Sequence, residues 1–336
     1  MLNNFLYLKY PSWINASVFP GVPVLNLIHW YGLMYIVAFT LAYFFLKKQY
    51  KEGALNENGK ETSEDDLFSF LFTGILCLII GARVFSTLVY DTSGTYWKKP
   101  WLIFWPFDTK TGQFTGLAGM SYHGGFIGGL LGMIIWCAIK KRSLWKWIDA
   151  MVVAIPLGYT FGRLGNFMNG ELYGRITTMP WGMVFPHAEK FSTNLDWVKD
   201  FMQQIGMTTT KTFVNLPRHP SQLYEAFFEG IVTFLILWAV HRKKPWDGFL
   251  GGLYTLCYGT FRFFIEYFRE PDADLGYRIS SDPSAEIWKN TSLLNISTGQ
   301  ILCFLMIAGG IGVMIGTYFW QKHKDKKLTT SIKTEK

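Results

Sequence analysis

Cysteine is scarce in this sequence, with Cys77, Cys137, Cys257 and Cys303 as its only representatives. All four fall inside apolar blocks, with none of the close pairing that holds a metal, so they read as small core residues. Metal-ligand spacing, a nucleophile elbow and a glycine-rich phosphate loop are all missing, so neither a metal nor a cofactor is expected. Residues 1–20 lack a charged start followed by an apolar stretch, and no cleaved leader is expected there. No internal repeat is evident. Charged residues make up only 17% of the chain, and their net charge of +8 is unevenly spread, which signals topology and not nucleic-acid binding.

Apolar residues are abundant instead. Half of the 336 residues are hydrophobic and 18% are aromatic, gathered in uninterrupted blocks of about 20, the length that crosses a bilayer core. The fold class is therefore an all-α polytopic membrane protein in a single domain over residues 1–336. About seven spans are expected, near 25–46, 67–90, 120–139, 146–166, 221–241, 248–268 and 298–320.

Basic residues choose the orientation. Lys47, Lys48, Lys51 and Lys60 follow the first span. Lys140, Lys141, Arg142 and Lys146 follow the third, and Arg242, Lys243 and Lys244 the fifth. The C-terminal tail carries Lys322, Lys324, Lys326 and Lys327. These alternate with less basic connections at about 91–119, 170–220 and 269–297, which puts the N-terminus outside and the C-terminus in the cytoplasm. Trp97, Trp101, Trp105 and Phe107 suit the first outer connection to the membrane interface. The second reads as a small outer head of mixed structure at 170–220, with β-prone pieces such as Lys211-Thr212-Phe213-Val214. Ser221, after Pro220, reads as an N-cap for the fifth span.

With that topology, polar groups from separate spans reach one depth, just inside the outer leaflet: Tyr31, Arg83, His123, Arg163, Arg262 and Glu266. A guanidinium in hydrocarbon costs a few kcal/mol unless something anionic meets it. Arg163 and Arg83 have no carboxylate on their own spans, which favours an anionic ligand, and planar, multi-donor arginine suits phosphate. Asn166 lies one turn beyond Arg163 on the same face. Tyr258, Arg262 and Glu266 recur every four residues in one polar stripe; Arg262 and Glu266 either neutralise each other or share an anion site. Glu225 and Glu229, one turn apart, either counter an arginine or face the wet interface.

Gly124, Gly128 and Gly132 lie on one helical face, a small-residue seam for close helix packing. His123, just before them, is either structural or a proton carrier. His219 is either a loop residue or a participant, and His29, His187, His241 and His323 carry no signal. Polar groups confined to one leaflet favour an enzyme over a transporter or flippase for an anionic lipid, which needs access from both sides and often a broken-helix pair.

Several runs carry a family resemblance: His29-Trp30-Tyr31-Gly32-Leu33-Met34-Tyr35, Tyr122-His123-Gly124-Gly125, Gly162-Arg163-Leu164-Gly165-Asn166-Phe167-Met168-Asn169-Gly170-Glu171-Leu172-Tyr173-Gly174, Arg218-His219-Pro220-Ser221-Gln222-Leu223-Tyr224-Glu225, and the stretch from Tyr258 through Arg262 and Glu266 to Asp272. In this order they resemble the bacterial prolipoprotein diacylglyceryl transferases. The resemblance implies transfer of the diacylglyceryl group of phosphatidylglycerol to the lipobox cysteine of a prolipoprotein, at the bacterial inner membrane. It implies Arg163 and Arg262 as phosphate-binding residues, with Asn166, Glu171 and Gly174 completing the signature. Tyr31, His123, Tyr258 and Glu266 are implied as further site residues.

Overall fold

A computed structural model describes residues 7–15, 17–19, 21–22, 29–57, 59–108, 111–113, 119–270, 276–280, 287–288 and 292–334. The beginning of the first expected span, at 25–28, and parts of the connections at 91–119 and 269–297 lie outside them. The chain divides into two compact units, Tyr43–Ala150 and the remainder, Met1–Ala42 with Met151–Lys336; the boundaries fall within helices α1 (Trp30–Lys51) and α5 (Leu144–Val152).

In the first of these units α2 (Glu64–Phe85) starts at a capping box, in which Ser63 Oγ accepts from the Asp66 amide and the Asp66 carboxylate accepts from the Ser63 amide. Arg142, from the basic connection that carries Lys140 and Lys141, reaches that same carboxylate at 3.0 Å. The connection thus ties helix ends together. A π-helical turn (Ser86–Tyr90) extends α2, followed by α3 (Thr95–Lys98) and a 3₁₀ turn (Pro100–Phe104), where Trp97 and Trp101 stay exposed.

Helix α4 (Tyr122–Lys140) lies directly on α2, and the expected glycine seam is the contact. A methyl group on Gly124 would sit 2.3 Å from Phe85 Cβ, and one on Gly128 would sit 2.2 Å from the Cys77 carbonyl oxygen. Only hydrogen fits there. Phe70, Trp136 and Trp147 close the other end of this unit, with ring centroids 4.5–5.2 Å apart.

The other unit holds α6 (Ile155–Asn169), the functional-signature helix. The span expected at 146–166 is split: α5 ends at Val152, a turn covers Val153–Ala154, and Pro156 stands in the first turn of α6. Proline has no N–H to donate and its ring collides with the preceding turn, so a continuous helix stops there. Gly170, at φ 68°, ends α6 in the left-handed region.

Beyond it the segment to residue 220 folds around Ile176, Phe191, Val198, Val214 and Leu216. Its elements are β2 (Met183–Val184), paired with β1 (Leu8–Lys9), then β3 (Lys190–Ser192), α7 (Asp196–Gln204) and β4 (Phe213–Asn215), which pairs antiparallel with β3. Of the β-prone piece at 211–214, Phe213 and Val214 lie in this two-stranded sheet and Lys211 and Thr212 precede it.

Next come α8 (Ser221–Glu225), a π-helical stretch (Ala226–Val232) and α9 (Thr233–Val240), one continuous rod. Ser221 is its first helical residue and not its cap; its hydroxyl donates to the Leu172 carbonyl at 3.2 Å. Helix α10 (Phe249–Ile265) packs along α11 (Thr298–Thr334), which follows the small pair β5 (Tyr277–Ile279) and β6 (Ile296–Ser297).

Among the described residues five helices are long and apolar enough to cross a membrane: Trp30–Lys51, Glu64–Tyr90, Tyr122–Lys140, Ser221–Lys243 and Thr298–Lys326. Many large apolar side chains point outward, among them Phe68, Phe72, Phe126, Ile139 and Phe304. Such a surface suits lipid as solvent. The architecture is that of a mostly helical, polytopic membrane protein.

Candidate active site

Arg163 stands nearly two turns before the end of α6, and Arg262 stands about one turn before the end of α10. Their guanidinium groups meet on one carboxylate. Arg163 Nε lies 2.8 Å, and Arg262 Nη1 2.7 Å, from Oε2 of Glu225. Glu225 comes from the third element, α8, and is fully buried. Tyr159, one turn before Arg163, donates its hydroxyl to the same oxygen at 3.0 Å, and Arg269 Nη1 lies 3.8 Å away. Arg163 also stacks its guanidinium over the Tyr159 ring, 4.8 Å from the centroid.

Two more carboxylates complete the cluster. Arg262 Nη2 is 3.3 Å from Glu266, which also accepts from Ser297 Oγ at 3.1 Å, and Arg262 Nη1 is 3.7 Å from the buried Glu229. The sequence expectation of unmatched positive charge is corrected at Arg163, because the carboxylate is supplied by another helix. It is corrected at Arg83 too. That side chain is buried and donates Nε–H to the Ile103 carbonyl and Nη1–H to the Gly119 carbonyl, holding the connection after α2 in place.

The rest of the signature extends from Arg163 as a chain of hydrogen bonds. Arg163 Nη1 donates to Asn166 Oδ1 at 3.2 Å, and Asn166 Nδ2 donates to Glu171 Oε1 at 3.0 Å, where Asn169 also donates. Asn166 is buried whereas Glu171 is exposed. The loop that follows is clamped by the start of α8: Gln222 Nε2 donates to the Glu171 carbonyl at 2.6 Å, and the Gly174 amide donates to the His219 carbonyl at 2.8 Å. Gly174 is a place of close backbone approach. A methyl group there would sit 2.1 Å from the Phe268 carbonyl oxygen.

Tyr31 packs its ring against Gly165, where an added Cβ would lie 3.2 Å from Tyr31 Cδ2, and its hydroxyl bonds that of Tyr35 at 3.2 Å. Tyr258 meets Tyr159 edge-on with centroids 5.6 Å apart. Tyr31, Arg163, Asn166, Glu171, Gly174, Tyr258, Arg262 and Glu266 thus all lie in the unit that holds α6. His123 belongs to the other unit, where its exposed ring takes a 2.8 Å hydrogen bond between Nδ1 and the Tyr90 hydroxyl.

His219 packs against Phe268 and bonds Tyr224 through Nδ1 at 3.2 Å. Burial, helped by the neighbouring Arg175 charge, pushes its pKa down to about 4, so it remains neutral near pH 7. Neighbouring Arg218, fully buried, pairs with Glu270 and lies over the Tyr173 ring. These are bracing roles.

Sequence reasoning left Glu225 open and did not single out Tyr159 or Arg269. The available signal was spacing: Tyr159 precedes Arg163 by four, as Tyr258 precedes Arg262. What this arrangement can do chemically is hold one anionic oxygen among several strong donors in a site largely shielded from water.

Comparison with known proteins agrees. The profile described as "Prolipoprotein diacylglyceryl transferase" matches residues 23–316. The chain is 53% identical over 336 residues to the phosphatidylglycerol–prolipoprotein diacylglyceryl transferase of Treponema denticola, covering 96% of this chain and 98% of that protein. It is 50% identical to the Treponema pallidum protein of the same name, over 94% of this chain and 97% of that one. For the Borrelia garinii protein of that name the identity is 42%, over 96% of both. A profile spanning most of the chain, relatives matched almost end to end, and intact signature residues around a buried two-arginine site place this chain in the prolipoprotein diacylglyceryl transferase family.

Proposed function

We propose that this chain is a phosphatidylglycerol–prolipoprotein diacylglyceryl transferase, acting at the first step of bacterial lipoprotein maturation. It moves the diacylglyceryl group of phosphatidylglycerol onto the lipobox cysteine of a prolipoprotein, forming a thioether and releasing glycerol 1-phosphate. The observation that carries this reading is the convergence of Arg163 and Arg262, from two helices, on one anionic oxygen.

The chemistry asks for two things. A thiol must lose its proton before its sulfur attacks a primary glycerol carbon, since free cysteine ionises only near pH 8.5. As the C–S bond forms, the C–O bond to the phosphate breaks, and charge grows on the departing phosphate. Arg163 and Arg262 stabilise that charge where it develops, and Asn166, held by Glu171, keeps Arg163 aimed. Gly174 lets the signature loop close against the end of α10. Tyr31, Tyr258 and Glu266 shape and balance the seat; for the thiol proton His123 is the candidate base, and a substrate-assisted or arginine-field route is the alternative. No metal, cofactor or nucleic acid takes part.

The chain works as one membrane-embedded catalytic domain of seven spans in the bacterial inner membrane. α5 with α6, and α10, are the two spans beyond the five long ones. The N-terminus and the head at 170–220 face the periplasm and the C-terminus faces the cytoplasm, as the basic connections require. The test is incubation of purified protein in detergent with a synthetic lipobox peptide and phosphatidylglycerol. A gain of one diacylglyceryl unit in peptide mass is expected. It should be absent when the lipid is phosphatidylcholine or the peptide cysteine is serine. Absence of transfer across several phosphatidylglycerol chain lengths would overturn the reading.

A further inference from the structure

Glu225 occupies the place where the substrate phosphate is proposed to bind. Its Oε2 is surrounded by Arg163 Nε at 2.8 Å, Arg262 Nη1 at 2.7 Å, the Tyr159 hydroxyl at 3.0 Å and Arg269 Nη1 at 3.8 Å. Its other oxygen, equally buried, accepts no hydrogen bond. A carboxylate matched to its arginines would use both oxygens in a parallel fork. Here Arg262 Nη1 and the Tyr159 hydroxyl both donate to a single oxygen, with Arg163 Nε and Arg269 Nη1 close beside it. Arg163 Nε, although close, is too far out of line to complete a hydrogen bond, and Arg262 divides itself among three carboxylates. The donors are arranged around one anionic oxygen, and the carboxylate satisfies them incompletely.

Charge leads to the same point. Arg163, Arg262 and Arg269 face Glu225, Glu229 and Glu266 among the described residues, so an entering phosphate competes with carboxylates for the same donors. A phosphodiester and the Glu225 carboxylate brought to the same donors would repel each other in a site removed from water, so the two do not share it. One resident anion has to give way. Glu229 and Glu266 lie farther from the arginine nitrogens, at 3.7 and 3.3 Å, and Glu266 is held by Ser297. Glu225 sits at the focus itself.

The backbone supplies a way out. The residue after Glu225 begins the π-helical stretch Ala226–Val232. A π turn carries one residue more than an α turn, and its conversion to α geometry rotates the preceding residues by about 100°. Thr160 Oγ, 3.1 Å from the Ala226 carbonyl and 3.1 Å from the Pro156 carbonyl, is placed to stay bonded to α6 when that carbonyl moves.

We propose that Glu225 is a resident anion plugging the phosphate seat, and that phosphatidylglycerol binds by displacing its carboxylate from Arg163 and Arg262. This rests on the phosphate-seat reading above. The plug keeps two buried arginines paired while the site is empty. It also sets a threshold that a zwitterionic headgroup, carrying its own cation, does not pass.

The experiment is binding of dihexanoyl phosphatidylglycerol to purified protein in non-ionic detergent, by calorimetry, with melting temperatures read in parallel. Glu225→Gln keeps the side-chain volume and removes the charge. Lipid affinity should rise by at least about tenfold while the melting temperature falls. Added inorganic phosphate should restore the melting temperature of Glu225→Gln and leave the wild type little changed. A purely structural counterion predicts that affinity and stability fall together, so Glu225→Gln with equal or weaker binding would overturn the proposal. Should Glu225→Gln fold only with phosphate present, Glu225→Asp, which retracts the carboxylate, is read the same way: tighter binding supports the plug and unchanged or weaker binding refutes it. Wild-type binding that is indifferent to Arg163→Ala would instead refute the phosphate seat itself.

Discussion

Arg163 and Arg262, 99 positions apart in the chain, reach the same oxygen of Glu225 at 2.8 and 2.7 Å. The pair stays inside the protein because α8 delivers a carboxylate between α6 and α10. Truncating one arginine leaves the others facing a carboxylate with less compensation, so effects on activity and on stability are separable only by measuring both.

Lysine does not replace arginine here. Arg163 uses Nε toward Glu225 and Nη1 toward Asn166, two directions that a single ammonium group cannot serve. Arg163→Lys should keep the fold and lower kcat by about 10²–10³-fold, the usual cost of losing a donor aimed at developing charge. Steady-state kinetics with a lipobox peptide checks this, and activity within a few-fold of wild type would contradict it.

Two signature glycines should behave oppositely. Gly174→Ala forces a methyl group to within 2.1 Å of the Phe268 carbonyl, whereas nothing lies within 4 Å of a Cβ on Gly162. Gly174→Ala should cost roughly 1–3 kcal/mol or more of stability and most of the activity, while Gly162→Ala should be close to wild type. Melting temperature and turnover of the two variants side by side decide it.

The seam between α2 and α4 makes a similar claim far from the arginines. Gly128→Val would press against the Cys77 carbonyl, so the two helices must part. Its melting temperature should fall by several degrees, as expected for overpacking of about 1–3 kcal/mol. Gly129→Ala, whose Cβ would meet Leu78 at an ordinary 3.7 Å, should be tolerated.

His219 gives the protein a pH dependence of known sign. Its pKa is about 4 when folded and about 6.5 when exposed, so above pH 6.5 it contributes nothing. As pH falls from 6.5 toward 4 the unfolded chain takes up a proton that the folded chain refuses, and stability is lost. His219→Gln should remove that part of the decline. Melting curves between pH 7.5 and 4.5 check it, and parallel declines in both proteins would contradict it.

His123 tests the proton transfer. His123→Gln should lower kcat by about 10²–10⁴-fold if its ring takes the thiol proton. Full turnover across the pH range would remove it from that role.

Legibility in the sequence depended on where each residue finds its partner. The apolar blocks around α1, α2, α4 and α11, the glycine face of α4 and the four-residue steps of α10 were readable because each pattern lies within one element. Pro156 also stood in view, yet the block around it was read as one span. The break at Val153–Ala154 follows from the backbone chemistry of that proline. Arg163 looked uncompensated because Glu225 is 62 positions away, and Arg83 looked like a ligand-binding cation because carbonyls of Ile103 and Gly119 leave no trace in side-chain spacing. Glu225 itself could be read two ways until α8 was seen to lie against α6.

The most direct measurement is the rate of diacylglyceryl transfer from phosphatidylglycerol to a lipobox peptide by wild-type, Arg163→Ala and Arg262→Ala proteins, each checked for an intact melting transition. The account predicts transfer by the wild type and a loss of at least about 10²-fold in kcat/KM for both folded variants. Transfer at near wild-type rates by either variant would contradict the assignment of these two arginines as the phosphate clamp.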